Sequence, residues 1–381
     1  MKLSLNFNHI GNLLRDFFLI TGIIVFLLFA GHFAIGGARY IKHSIQGIKT
    51  GEDLASSLKQ SPVFANYQGY DDYFNDANLA STMKIVPYYH WRRTAYDGNV
   101  IKIDENSIRR TIKSPHENAK KVFLFGGSTM WGTGTPDQYT IASQLQARLG
   151  PHYDVYNFGE TAFVSVQELN LLLEQLSKGL KPDIVVFYDG VNDGYAGMYS
   201  PGIPRHPQFR QEDYESNEST AKLIRKLLDK TNYIALTARM DKWLGKDDLS
   251  KWENNIQPKI ENNAKIVVNN YEQLMHQVQG LASVYGFKAY HFWQPLLLTQ
   301  NRKLTDYEQA LFDANSPQLV ASYKVLYQQA KTQLAGKPGF YYIADAFDNV
   351  NQPIFFDFCH VGPKGNEIVA AKMAQVISQK G

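Results

Sequence analysis

From residue 121 onward, short apolar runs alternate with amphipathic stretches. Val122-Phe123-Leu124-Phe125 is continuously apolar, as expected of a strand covered on both faces. Residues 140–149 follow with helical spacing and stop at Gly150. Asp154-Val155-Tyr156-Asn157 reads as a second strand, 166–176 as a helix, and 183–188 (DIVVFY) as a third buried strand. Residues 288–292 and 340–343 give two weaker strands, and Val267, Tyr271, Leu274, Val278 and Leu281 fall on one helical face between them. This order predicts an α/β domain with an open, mostly parallel sheet and helices on both sides. The charged, helix-prone stretch 215–258 reads as an insertion, and no internal repeat is present.

The N-terminal pattern is different. Residues 17–37 read FFLITGIIVFLLFAGHFAIGG, in which His32 is the one readily ionisable side chain. As a helix the run spans roughly 30 Å, one hydrocarbon core. A signal-peptide core is shorter and closes on small residues, and a buried helix of this length carries more polar positions. The run is therefore expected to be a retained transmembrane helix in a tail-and-anchor region, 1–40, with the lipid bilayer as its partner. Lys2, Arg15 and the terminal amine precede it, and Arg39, Lys42 and Lys49 follow, so flanking charge does not orient it. Residues 41–118 read as a stem or accessory segment, with the aromatic run Tyr67, Tyr70, Tyr73, Phe74 and a strand at 100–103 after an Asp97-Gly98 turn. Residues 107–111, with Arg109 and Arg110, read as a solvated basic turn, anion binding being the alternative.

Composition narrows the chemistry. With 381 residues, 44% of them apolar, the chain can bury a large core and is not a disordered type. Its 39 basic and 36 acidic residues leave a net charge of +3, which makes no case for nucleic acid as a partner. The single cysteine, Cys359, excludes an intrachain disulfide and a multi-thiolate metal site. No His/Asp/Glu cluster has metal-ligand spacing, and the glycines at 126, 127, 132 and 134 lack a phosphate-loop lysine. Neither a metal nor a cofactor is expected.

Ligands of open α/β sheets gather at the carboxyl ends of the strands. There the chain places Gly126-Gly127-Ser128-Thr129, Phe158-Gly159 and Asp189-Gly190-Val191-Asn192-Asp193, and Asp357 and His360 stand just before a final helix. Singly, these are a turn, a helix cap and a surface loop. In this order they resemble the SGNH (GDSL-like) hydrolase superfamily, from Lys121 to the C-terminus. The matching blocks are FGGST around Ser128, NFG ending at Gly159, GVND containing Asn192, and DFCH ending at His360. Gly127 stands where the family's Gly-Asp-Ser form has its aspartate, which is not a triad member. The stem motifs YYHWR and IRRT also resemble membrane-linked members found with polysaccharide modification systems.

That resemblance implies a three-layer, SGNH-hydrolase-like (flavodoxin-like) fold over 119–381. It also implies a triad of Ser128 as nucleophile, His360 as base and Asp357 as its orienting acid. The oxyanion hole would be the Ser128 and Gly159 N–H groups and the Asn192 amide. The expected activity is that of a membrane-anchored serine esterase or O-acyltransferase, O-acetyl in type, acting on an acyl-ester or carbohydrate substrate of the cell surface. Its catalytic domain would lie outside the cytoplasm, periplasmic or extracellular, with a membrane acyl-donor protein as partner. A lipid or lysophospholipid esterase and a catalytically silent binding subunit of a membrane complex are the alternatives. The other serine-hydrolase signature, the nucleophile elbow, is absent because Met130 stands where it needs glycine. Trp131, Gly132 and Gly134 read as loop or cleft lining and Gln294-Pro295 as a turn or cleft wall. Cys359 reads as packing, its side chain turned away from that of His360.

Overall fold

The structure, a computed structural model, describes residues 61–199 and 249–380. The expected transmembrane helix at 17–37 and most of the 215–258 insertion lie outside the described residues. Among the described residues, no helix is long and apolar enough to cross a membrane. The architecture below is that of the compact unit formed by residues 54–209 and 255–381.

This unit begins with α1 (Tyr70–Leu79), the antiparallel pair β1 (Met83–Val86) and β2 (His90–Arg93), and the short antiparallel pair β3 (Tyr96–Asp97) and β4 (Lys102–Ile103). The main sheet and its helices follow: β5 (Lys120–Gly126), α2 (Ser128–Trp131), α3 (Ile141–Leu149), β6 (Tyr153–Asn157), α4 (Ser165–Ser177), β7 (Ile184–Asp189) and α5 (Val191–Tyr199). After them come α6 (Leu249–Tyr285), β8 (Lys288–Trp293), α7 (Asp306–Asp313), α8 (Pro317–Leu334), β9 (Phe340–Tyr342) and α9 (Pro363–Lys380). The five long-range strands lie in the order β6-β5-β7-β8-β9 and every neighbouring pair is parallel. Counted along the chain this is the order 2-1-3-4-5 of flavodoxin-like sheets, with the ligand side at the strand carboxyl ends.

Side-chain alternation along the strands builds three layers. Val122 and Leu124 pack with Ile141, Leu145, Val369 and Met373 from α3 and α9. Phe123 and Phe125 point the other way, into Leu172, Leu274 and Val278 from α4 and α6. Because both faces are covered there, residues 122–125 of β5 and 184–188 of β7 are continuous buried runs readable in the sequence. On the α6 side, Trp293 of β8 packs with Tyr271, Tyr323 and Tyr327 from α6 and α8. Thr140 caps α3 by accepting from the Ser143 N–H, and Gly150 ends it at a positive φ of 76°.

Residues 107–111 are not a solvated turn. Arg109 is fully buried and bridges β4 to the edge strand β6, through Ile103 on one side and Asn157 on the other. A guanidinium can be buried when a carboxylate and carbonyl oxygens meet it, and Asp137 and three main-chain carbonyls do so here.

Candidate active site

Strand β5 ends at Gly126, Gly127 is the N-cap that follows, and α2 starts with Ser128. The two glycines let other groups approach closely. A Cβ at Gly127 would lie 2.2 Å from Asn192 Nδ2, and one at Gly126 would lie 2.6 Å from Met130 Cβ. As the first helical residue, Ser128 has an N–H with no carbonyl one turn back to bond.

The other half of the site is the turn from Ile354 to Gly362. Phe355 bridges Val361, the Phe356 N–H donates to His360 O at 3.1 Å, and the Gly362 N–H donates to Ile354 O at 2.9 Å. Glu308 on α7 holds this turn from behind, accepting from the Ile354 and Phe355 N–H groups at 2.9 and 3.3 Å. Its own charge is met by Arg302 at 2.5 Å; burial alone would raise the Glu308 pKa, but Arg302 and these N–H groups bring it below the ordinary value.

Within the turn, Asp357 and His360 come together, and His360 reaches Ser128. His360 Nε2 lies 2.7 Å from Ser128 Oγ, and His360 Nδ1 lies 2.6 Å from Asp357 Oδ2. Asp357 Oδ1 accepts from the Cys359 and His360 N–H groups at 2.8 and 2.6 Å. The Phe356 ring stacks on the imidazole, with centroids 5.7 Å apart and planes 14° from parallel. Burial would lower the His360 pKa, but the adjoining Asp357 carboxylate raises it above the ordinary value. Burial likewise pushes Asp357 up, and His360 with the two N–H donors brings it below the usual carboxylate range. An ionised Asp357 places the imidazole proton on Nδ1, so Nε2 accepts from the Ser128 hydroxyl.

Asn192 donates from Nδ2 to Phe163 O at 2.7 Å, which leaves its second N–H for another acceptor. Its neighbour Asp193 accepts from the Ser165 hydroxyl at 2.6 Å and from the Ser165 N–H. The GVND motif thus pins the loop that starts α4. For Gly159 the structure departs from expectation. Its N–H already donates to Asn157 Oδ1 at 3.1 Å, and a Cβ there would sit 2.5 Å from Trp131 N. What the geometry requires of Gly159 is close packing against α2.

Asn157 itself escaped the sequence reading. It is fully buried, and its amide also donates to Met130 O at 3.0 Å, tying β6 to α2. An asparagine closing a strand of a buried sheet was the available signal. Gln294 reaches the same helix, with Thr129 Oγ1 at 3.4 Å from Gln294 Oε1. Trp131 is buried beneath Arg93 and Arg109 and does not line a cleft. Cys359 is buried as expected, but its Sγ lies 3.5 Å from His360 Nδ1, because a tight turn brings adjacent side chains together where a strand would separate them. Burial and the Asp357 charge raise this thiol well above its ordinary pKa, so it stays protonated. Among the described residues, Asp357, Cys359 and His360 form the group whose donor atoms are near enough to share a metal ion. Its Nδ1 and Oδ2 atoms are already bonded to each other.

Three further acids are buried: Asp189 at the end of β7, Asp193 on α5 and Glu168 on α4. Tyr271 donates to Asp189 Oδ2 at 2.8 Å, and His291 Nδ1 lies 3.5 Å from the same phenol. Burial, with Asp193 nearby, pushes Asp189 up to about 8. Burial lifts Asp193 to about 6 and, with Asp189 and Asp193 nearby, Glu168 well above the carboxylate range. Burial also lowers His291 to about 3, so it is neutral. Carboxyls with raised pKa values hold protons in the folded state that the unfolded chain releases. Their stabilising effect is full below about pH 4 and is lost as the pH rises toward 8. The melting temperature is expected to fall between pH 5 and pH 8.5, and Asp189→Asn should remove a third or more of that fall. Parallel curves for the two proteins in calorimetry would refute the assignment.

No protein-family model matches the chain. No curated protein matches it either. Three solved structures to which the chain is similar are the following. One is a member of the lipolytic protein G-D-S-L family from Veillonella parvula, at 14% identity and a TM-score of 0.37, covering 68% of this chain and 99% of that one. A second is a carbohydrate acetylesterase family member from Sinorhizobium meliloti, at 15% and 0.40, covering 68% and 98%. A third is the aryl esterase of M. smegmatis, at 14% and 0.34, covering 68% and 99%. Values at this level leave the reading of the site to its own geometry.

Proposed function

We propose that this chain is an SGNH-type serine hydrolase or acyltransferase, acting on acyl esters of a cell-surface carbohydrate. The observation that carries the reading is the continuous line Ser128 Oγ, His360 Nε2, His360 Nδ1, Asp357 Oδ2, with contacts of 2.7 and 2.6 Å between residues 232 positions apart and three positions apart. A nucleophile bonded to a base that is itself oriented by an acid is the arrangement acyl transfer requires.

In this reading Ser128 Oγ attacks the ester carbonyl as its proton passes to His360 Nε2. Asp357 keeps the imidazole in the accepting tautomer and stabilises the imidazolium. The oxyanion is met by the Ser128 N–H and the free N–H of Asn192, and the Gly159 N–H joins them only by releasing Asn157. His360 then protonates the departing alkoxide, and water or a sugar hydroxyl repeats the steps in reverse to free Ser128. The carbohydrate substrate is supported by the resemblance of YYHWR and IRRT to polysaccharide-modifying systems. The apolar run at 17–37 supports a single-pass anchor in the cell membrane, with the catalytic unit outside the cytoplasm.

The test uses the full chain in detergent with p-nitrophenyl acetate, an O-acetylated polysaccharide and a serine-directed phosphonate. Acetate release from both esters and a phosphonate adduct on the Ser128 peptide are expected. Faster acetyl loss when an unacetylated polysaccharide is added marks transfer; indifference to it marks hydrolysis. Preference for long-chain over acetyl esters would favour a lipid esterase, and no adduct at Ser128 would sink the proposal.

A further inference from the structure

We infer that Arg109, from the segment preceding the sheet, is a positioning residue that aims Ser128 by gripping the far end of α2. The inference rests on the serine-hydrolase reading above. Helix α2 has only four residues, Ser128 to Trp131, too few to hold its own shape. Its nucleophile sits at one end, and the carbonyls at the other end have no intrahelical donors. Asn157 supplies Met130 O, at 3.0 Å, and reaches Trp131 O at 3.4 Å; Arg109 supplies the rest. Nη1 donates to Trp131 O at 3.0 Å and to Gly132 O at 2.8 Å, Nη2 donates to Thr135 O at 2.5 Å, and Nε donates to Asp137 Oδ1 at 3.0 Å.

The grip is transmitted to Ser128 through one turn of main chain. The Trp131 N–H donates to Gly127 O at 2.9 Å, and the Gly132 and Thr133 N–H groups both donate to Ser128 O, at 3.0 and 2.9 Å. Residues whose carbonyls are fixed by Arg109 thus fix the carbonyls on either side of the nucleophile's peptide. The guanidinium also lies 4.2 Å from the centroid of the Trp131 ring, with Arg93 at 3.9 Å from the same centroid. Gly132 has φ of 98°, and a Cβ there would come within 2.9 Å of Arg109 Nη1. A planar fork that meets three carbonyls and a carboxylate while stacking on an indole cannot be copied by an ammonium group. Asp137 keeps a second partner, Arg110 at 2.8 Å, so changing Arg109 does not strand its charge.

The decisive variant is Arg109→Lys in the full chain, compared with the parent for melting temperature, phosphonate labelling of Ser128, and kcat and KM on p-nitrophenyl acetate. A displacement of about 1 Å at a reacting atom costs on the order of 100-fold. The variant is expected to lose about that factor in kcat and in labelling rate per folded molecule, with KM within threefold. The pH midpoint should be unchanged, because His360 and Asp357 are untouched. Val278→Ala, a core truncation in α6, is the control and should lower the melting temperature while sparing kcat. Should the lysine variant not fold, Asp137→Asn loosens the Arg109 fork and should lower kcat about tenfold at constant KM. A folded Arg109→Lys protein, or failing that a folded Asp137→Asn protein, with kcat within threefold of the parent overturns the inference. If the parent itself takes no phosphonate at Ser128, the underlying hydrolase reading fails instead, and the two failures are distinguishable.

Discussion

Ser128→Ala is expected to lower kcat for p-nitrophenyl acetate by about 10⁵-fold or more and to abolish phosphonate labelling, while the protein stays folded. The hydroxyl is the atom that would form the new bond, and no other group accepts that role at 2.7 Å from His360 Nε2 among the described contacts. His360→Ala should cost nearly as much, because a serine hydroxyl is a weak nucleophile without its base. The two losses should not add. The double variant is expected within about threefold of either single one, since residues that act as a unit lose their joint contribution together. Kinetics of the three proteins with active-site titration check this. Additive losses, or a Ser128→Ala protein retaining a tenth of parental turnover, would mean that the nucleophile is elsewhere.

Asp357→Asn should follow, with a fall of about 10⁴-fold in kcat. An asparagine can keep its carbonyl on the Cys359 and His360 N–H groups, which Asp357 Oδ1 now meets at 2.8 and 2.6 Å. It then presents an NH2 group to His360 Nδ1, so the imidazole must carry its proton on Nε2, facing Ser128, and cannot accept another. The pH profile gives an independent reading. In the parent, the Asp357 charge holds the His360 pKa above its ordinary value against the effect of burial. With that charge gone, the residual activity should show its midpoint at lower pH. An unshifted midpoint would show that Asp357 does not face the imidazole in solution.

The sheet was legible because its physics is local. Residues 122–125 and 184–188 are covered on both faces, so burial is written as an unbroken apolar run, and glycines stand at or just past the strand ends. The site was legible only through the order of four short blocks, since nothing near Ser128 in sequence announces a histidine 232 residues away. What escaped was burial that polar groups make possible. Tyr70 and Tyr73 are buried, with hydroxyls on Gly134 O and the Gly134 N–H, yet in sequence they belong to a mixed aromatic and polar stretch. Arg109 looked solvated because its partners lie 22 to 28 residues downstream. Nor does the sequence reveal that the Gly159 N–H donates to Asn157, two residues earlier.

The two bonds of the Ser128-His360-Asp357 line close chain segments of very different length. The histidine and its acid are three residues apart in one turn, whereas the histidine and the serine are 232 apart. Chain-closure entropy favours the short contact first, and contacts of high sequence separation form late. The acid–base arm is thus a module that can assemble while the sheet is still incomplete, and the nucleophile meets it only when α9 docks beside α3 and closes the layer. Turnover is therefore a stricter gauge of refolding than helix content, because it returns only once two segments 232 residues apart have found each other.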